Sequence, residues 1–131
     1  MSLIQRIMNP QALTALYGSD VPLDGAEIVE VRLGRDEPRL SVRIMTARKP
    51  LSPPSRWPTD YDVVYLSLSF IGASDLSLEG WERDNVIATF SSTVTDNGMS
   101  ITIHCREGVS IALTCDWVRV EGVAYGYLGG A

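Results

Sequence analysis

The chain has 131 residues, 45% of them hydrophobic, and a formal net charge of −5 with a pI near 4.7. A chain this short builds one core, so residues 1–131 read as a single domain, and the apolar share excludes disorder over most of it. The acidic balance argues against nucleic acid, whose phosphates need a basic footprint, and favours a basic protein as partner instead.

No run approaches the ~18 apolar residues of a membrane-spanning helix. The first ten residues, Met1 to Pro10, lack the basic start and long apolar run of a signal peptide, so the expected compartment is the cytoplasm. Residues 3–7 suit a turn. Asn9 is placed to cap a helix with Pro10 at its first position, where a missing N–H costs nothing. Leu13, Leu16 and Tyr17 follow at helical spacing, and Gly18 is a natural stop. Pro22 and Asp24-Gly25 mark a connection.

From Ala26 the period becomes two. Val29, Val31 and Leu33 face one way, Glu30 and Arg32 the other. Past the turn Arg35-Asp36-Glu37-Pro38, Leu40, Val42 and Ile44 alternate with Arg39, Ser41 and Arg43. A hairpin tip at Asp36-Glu37 sets Leu33 opposite Leu40, Val31 opposite Val42, Val29 opposite Ile44, and Glu30 opposite Arg43. Pro50, Pro53, Pro54 and Pro58 exclude a strand from residues 49–60, which read as an ordered extended loop anchored by Trp57.

The strongest strand signal runs from Asp62 to Trp81. Val64, Leu66, Leu68 and Phe70 share one face. Gly72–Asp75 interrupts, and Leu76 and Leu78 resume the spacing before Gly80-Trp81. The pattern predicts two strands with a tight connection, central to an antiparallel sheet. Val86, Ala88 and Phe90 begin the next strand. Asp96-Asn97-Gly98 is a hairpin signal, because Asn-Gly suits positive φ. Ile101, Ile103 and Cys105, then Val109, Ile111, Leu113 and Cys115, continue the alternation. A last strand holds Trp117 to Tyr127, broken at Gly122, and Gly129-Gly130-Ala131 are expected to fray. The sum is mostly β: an antiparallel β-sandwich or flattened barrel of about eight strands with one short N-terminal helix.

Cys105 and Cys115 do not suit a disulfide. On a hairpin turning at Arg106-Glu107-Gly108 they sit about six residues apart along the pair, roughly 20 Å, where a disulfide needs about 7 Å. Both read as buried thiols. His104, the sole histidine, points to a polar face away from Cys105. The sequence lacks metal-ligand spacing, a nucleophile elbow, a P-loop and a dinucleotide fingerprint, so neither catalysis nor a cofactor is expected. Asp60 and Asp62 are solvated turn residues.

Two charged groups stand out. Basic residues cluster between Arg32 and Arg56, where Arg32, Arg39 and Arg43 lie on a solvent face among Glu30, Asp36 and Glu37, which neutralise them. Asp75, Glu79, Glu82 and Asp84 surround Trp81. This acidic group is either a docking patch for a basic protein or a charged edge that blocks strand-to-strand aggregation. A small-ligand module with an aromatic pocket of Trp57, Tyr61 and Trp81 is a further reading.

Several local patterns occur in a telling order. They are Leu13-x-x-Leu16-Tyr17-Gly18; Pro22 followed by Leu23; Glu30-Val31-Arg32-Leu33 with Arg35-Asp36-x-Pro38-x-Leu40; Pro50-x-x-Pro53-Pro54-x-x-Trp57; Val64-x-Leu66-x-Leu68-x-Phe70; and Leu76-x-Leu78-x-Gly80-Trp81. Together, over roughly residues 9–82, they resemble the immunity protein 50 family of bacterial polymorphic toxin systems. The resemblance implies a small cytoplasmic protein that binds a cognate toxin domain and protects the producing cell, without catalysis or cofactor. The matched residues read as scaffold, so none is carried over as a toxin contact. The acidic group at Asp75, Glu79, Glu82 and Asp84 is the expected toxin-binding rim.

Overall fold

A computed structural model describes residues 7–18 and 23–128. The turn expected over residues 3–7 lies outside these but for Ile7, as do Pro22 and the terminal Gly129–Ala131. The described chain forms one helix, α1 (Gln11–Tyr17), and eight strands: β1 (Glu27–Gly34), β2 (Arg39–Thr46), β3 (Val63–Ile71), β4 (Ser74–Glu79), β5 (Ile87–Thr95), β6 (Gly98–Cys105), β7 (Ser110–Cys115) and β8 (Trp117–Gly126). They make two four-stranded antiparallel sheets, ordered β1-β2-β3-β8 and β4-β7-β6-β5. The sheets pack as a sandwich and do not close into a barrel.

Alternation decides what each sheet buries. Leu40, Val42 and Ile44 of β2, with Val64, Leu66, Leu68 and Phe70 of β3, face Ile101, Ile103, Ile111 and Leu113 of the other sheet, all of them buried. Leu13, Leu16 and Tyr17 of α1 close one end of this core. Asn9 does not cap the helix. Its amide instead pairs with β8, donating to the Val120 carbonyl at 3.0 Å and accepting from the Val120 N–H at 2.9 Å. The side chain thus imitates one more strand residue and clamps the helix entry to the sheet.

The two sheets are stitched at one corner, where Ile28 N–H donates to the Asn85 carbonyl (2.9 Å) and Ile87 N–H to the Ala26 carbonyl (2.8 Å). The β1–β2 register pairs Leu33 with Leu40, Val31 with Val42 and Glu30 with Arg43, as the hairpin pattern predicts. One pairing differs. A bulge at Val29 sets Ile28, not Val29, opposite Ile44. Ile28 is the buried residue, and Val29, the extra one, is left exposed.

The stretch Asp62–Trp81 does not form a hairpin. β3 sits inside the first sheet, with β2 and β8 on its two edges, so no edge remains for β4. The chain turns at Gly72 (φ 71°) and crosses to the other sheet, where β4 is an edge strand exposed along its whole length. A Cβ at Gly72 would run into the Asp116 carboxylate. The expectation that β4 is central is therefore corrected, because β3 had already spent both edges.

Smaller shifts have similar causes. A bulge at Ala88 moves Ile87 into the core and leaves Ala88 exposed. The β5–β6 turn is Asp96-Asn97, with Gly98 already paired to Thr95 in the ladder. Gly98 is needed there for space rather than for positive φ, since a Cβ would strike the Cys115 carbonyl. Cys105 and Cys115 form no disulfide. Cys115 pairs with Met99, six positions along β6 from Cys105, as the spacing predicts. Cys115 is buried, whereas Cys105 is only half-buried.

Candidate functional site

The two sheet edges that meet on one side carry uncovered apolar surface. β1 buries only Ile28 fully. Leu33 is 65% exposed and Val29 is also exposed, although both lie on the inward parity. Their counterparts are Leu78 of β4 and Trp81, which is 47% exposed. A groove of about 480 Å³ runs between these edges, lined by Val29, Glu30, Val31, Leu33, Leu78 and Trp81. The alternation that predicts a core face on β1 is correct in direction. The sandwich is open here, so among the described residues these side chains stay partly uncovered.

The acidic group sits beside this groove. Glu79 ends β4, and Glu82 and Asp84 follow Trp81 in the next loop; all are exposed. Asp75 belongs to the same strand but to its far end, about 13 Å away at ~3.3 Å per residue. It adopts a positive φ of 52° at the β4 bulge. Chain position thus gathers Glu79, Glu82 and Asp84 around Trp81 and sets Asp75 apart. Among the described residues none of the four carboxylates forms an ion pair.

One buried amide fixes the acidic loop. Asn85 is only 1% exposed. Its Oδ1 accepts from Glu82 N–H (3.1 Å) and Val109 N–H (2.9 Å), and its Nδ2 donates to the Glu82 carbonyl at 2.7 Å. Residues 82–85 are closed into a ring and tied to the start of β7. Gly108 leaves room for this, since a Cβ there would collide with the Asn85 amide. Gly80, at φ 78°, turns the chain out of β4 toward Trp81.

The outer face of the β1-β2-β3-β8 sheet is different in kind. Arg32, Arg39, Arg43 and Glu121 rim a shallow dish of about 430 Å³ floored by serines. Ser41 and Ser69 share a 2.8 Å hydrogen bond at its centre. Arg35 pairs with Asp36 (2.8 Å), Arg39 with Glu37 (2.7 Å) and Arg119 with Glu121 (3.3 Å). The Arg43 guanidinium lies over the Tyr65 ring, 4.1 Å from its centroid. Of the expected neutralisation only Arg39 with Glu37 forms; Asp36 is taken by its neighbour Arg35, and Arg43 rests on the Tyr65 ring instead of on Glu30. Arg32 has no ion-pair partner among the described residues.

The aromatic pocket reading does not assemble. Trp57 meets Tyr61 edge-on at 5.5 Å, but Tyr61 is 3% exposed and belongs to the core. Trp57 and Tyr61 continue into Tyr125 and Tyr127, while Trp81 lies in the separate β1–β4 groove. Asp60 accepts from the Tyr127 hydroxyl (3.1 Å) and Asp62 from Leu128 N–H (2.9 Å), so both secure the chain end. The proline loop is held to α1 by Leu51 N–H on the Leu16 carbonyl at 2.9 Å. His104 Nδ1 shares a hydrogen bond with the Ser110 hydroxyl (2.8 Å) on the polar face. Among the described residues no three His, Cys, Asp or Glu side chains gather as metal ligands, and no helix is long and apolar enough to cross a membrane.

The scaffold can be placed among known proteins. A family model described as immunity protein 50 matches residues 9–126, nearly the whole chain. The chain belongs to the immunity protein 50 family. No curated protein and no solved structure gives a match. The immunity protein 50 match extends well past Glu82, through the four strands β5 to β8, where sequence motifs alone give only strand pattern. Sequence reasoning missed Asn85 as the residue that shapes the acidic loop, and missed Val29 and Leu33 as surface and Val31 as only half-buried. For Asn85 the available signal was an asparagine directly before an apolar run. For the three apolar residues no local signal exists, because exposure depends on which strand lies at an edge.

Proposed function

We propose that this protein binds and neutralises a cognate bacterial toxin domain through the β1–β4 groove, acting in the cytoplasm of the producing cell and not as an enzyme. The observation that carries this reading, beside family membership, is an exposed apolar groove bordered by carboxylates that form no ion pair among the described residues. Protein interfaces take most of their energy from a few aromatic or apolar anchors, and charge around them sets partner choice and encounter rate. Trp81, Leu78 and Leu33 supply the anchors. Glu79, Glu82 and Asp84 supply a rim suited to Lys and Arg on the toxin, with Asp75 as an outlying contact. The net charge of −5 adds long-range attraction for a basic partner.

Coexpression with the toxin domain encoded beside this gene tests the reading. The protein is expected to restore growth and to co-elute with the toxin domain on gel filtration. Trp81→Ala is expected to weaken binding by about 30-fold, the effect of losing ~2 kcal/mol at a central anchor. No rescue and no complex would overturn the function. Rescue with unchanged affinity in Trp81→Ala would overturn the site.

A further inference from the structure

β1 is hydrogen-bonded to β2 along one edge. Along its other edge only the first residues are engaged, by the Ile28–Asn85 bond of 2.9 Å and the Glu27–Val86 bridge. From Val29 to Leu33 that edge has no backbone partner among the described residues. Natural edges of this kind are usually blunted by inward-pointing charge, lysine, proline or a bulge, and in β1 the one bulge lies at Val29, at the end of the free stretch. Here the inward side chains are Val29, Val31 and Leu33, and only Glu30 and Arg32 point outward.

We propose that two copies of this chain pair edge to edge through β1, antiparallel, with the two-fold axis at Val31. In that register Val31 faces Val31 of the second copy, and Val29 faces its Leu33. Glu30 faces its Arg32, and Arg32 faces its Glu30. Each face of the joined sheet is then self-consistent: apolar on apolar inside, two opposite-charge pairs outside. Neighbouring registers fail. Moving the axis to Glu30 sets Glu30 against Glu30, and moving it to Arg32 sets Arg32 against Arg32. One-residue slips put apolar side chains opposite charged ones. The free edge also has the right length. The next residue is Ile28 at one end, already held by Asn85, and Gly34 at the other, the last ladder residue before the hairpin turn. The second copy's Val29 and Leu33 come to rest over Leu78 and Trp81, covering the groove. Arg32, which has no ion-pair partner among the described residues, gains one.

The pairing needs no toxin and is tested on the protein alone, by sedimentation velocity over a concentration series reaching the millimolar range. The wild type is expected to dimerise. Glu30→Arg and Arg32→Glu are each expected to weaken the dimer by about tenfold or more, since each sets like charges opposite one another twice. The double variant Glu30→Arg/Arg32→Glu restores opposite pairs and is expected to restore the dimer. Circular dichroism checks each fold, because Glu30 also faces Arg43 within the chain. A wild type that stays monomeric throughout, a dimer indifferent to either single reversal, or a folded double variant that stays monomeric would each overturn the proposal.

Discussion

Tyr17 shows how one hydroxyl can set a pH limit on the fold. Its ring is buried under the proline loop, and its O–H donates to the Arg48 carbonyl at 3.0 Å. Burial, followed by the neighbouring Tyr61, pushes its pKa up to about 12, against the partial opposing pull of Arg48. The unfolded chain ionises Tyr17 near 10. The folded pKa is the higher one, so the stabilising contribution is complete below pH 10 and is lost as pH rises toward 12. Alkaline unfolding followed by tyrosine absorbance and circular dichroism should therefore begin in this window. Tyr17→Phe should shift the onset upward while costing about 1 kcal/mol at neutral pH, the worth of one hydrogen bond. An unchanged onset in Tyr17→Phe would assign the alkaline transition to another group. Helical spacing made the burial of Tyr17 legible. Its acceptor was not, because Arg48 is 31 residues away on a loop. Asn9 failed for a related reason: the same side chain can cap a helix or pair with a strand, and only the position of β8 decides between them.

At the scale of elements, the strands were legible because alternation is a local property, and the β1–β2 register followed because turn and pattern agreed. The sheet assignment was not legible. Leu76 and Leu78 repeat the spacing of Leu66 and Leu68, yet β4 lies in the other sheet, since the free edge of a distant strand is invisible in sequence. The bulges at Val29, Ala88 and Glu121 and the irregularity near Asp75 in β4 were hidden for the same reason, although Gly122 marked the one at Glu121. Of the acidic group expected as the rim, Glu79, Glu82 and Asp84 lie next to Trp81 along the chain, and Asp75 sits at the far end of β4. What orders that rim is the loop between β4 and β5, and its stability rests on Asn85. Asn85→Ala leaves the N–H groups of Glu82 and Val109 without their acceptor and the Glu82 carbonyl without its donor. A loss of about 1–3 kcal/mol is expected in chemical denaturation. Hydrogen exchange should also show faster exchange at Glu82 and Val109 than the global loss accounts for. Uniform acceleration across all strands would instead mean that Asn85 supports the core rather than the loop.

For the whole molecule, the groove is asked to serve two partners. The β1 dimer covers Leu78 and Trp81, and the proposed toxin complex needs both residues. Two chains of charge −5 repel one another, whereas a basic toxin domain is attracted to each. The toxin therefore has an electrostatic advantage that the second copy lacks, and the apolar groove offers both the same anchors. Competition of this kind fixes the stoichiometry. Light scattering on an equimolar mixture should give the mass of one toxin domain with one immunity protein, and the free dimer should disappear as toxin is added. Raising ionic strength should slow toxin association, because steering acts over distances comparable with the ~10 Å screening length at 0.1 M salt. The self-pairing in β1, with Glu30 and Arg32 in close opposition and apolar side chains beneath, should depend on salt far less. A stable two-to-two complex would show that the surfaces are separate, leaving the β1 edge to the dimer and moving the toxin away from Trp81.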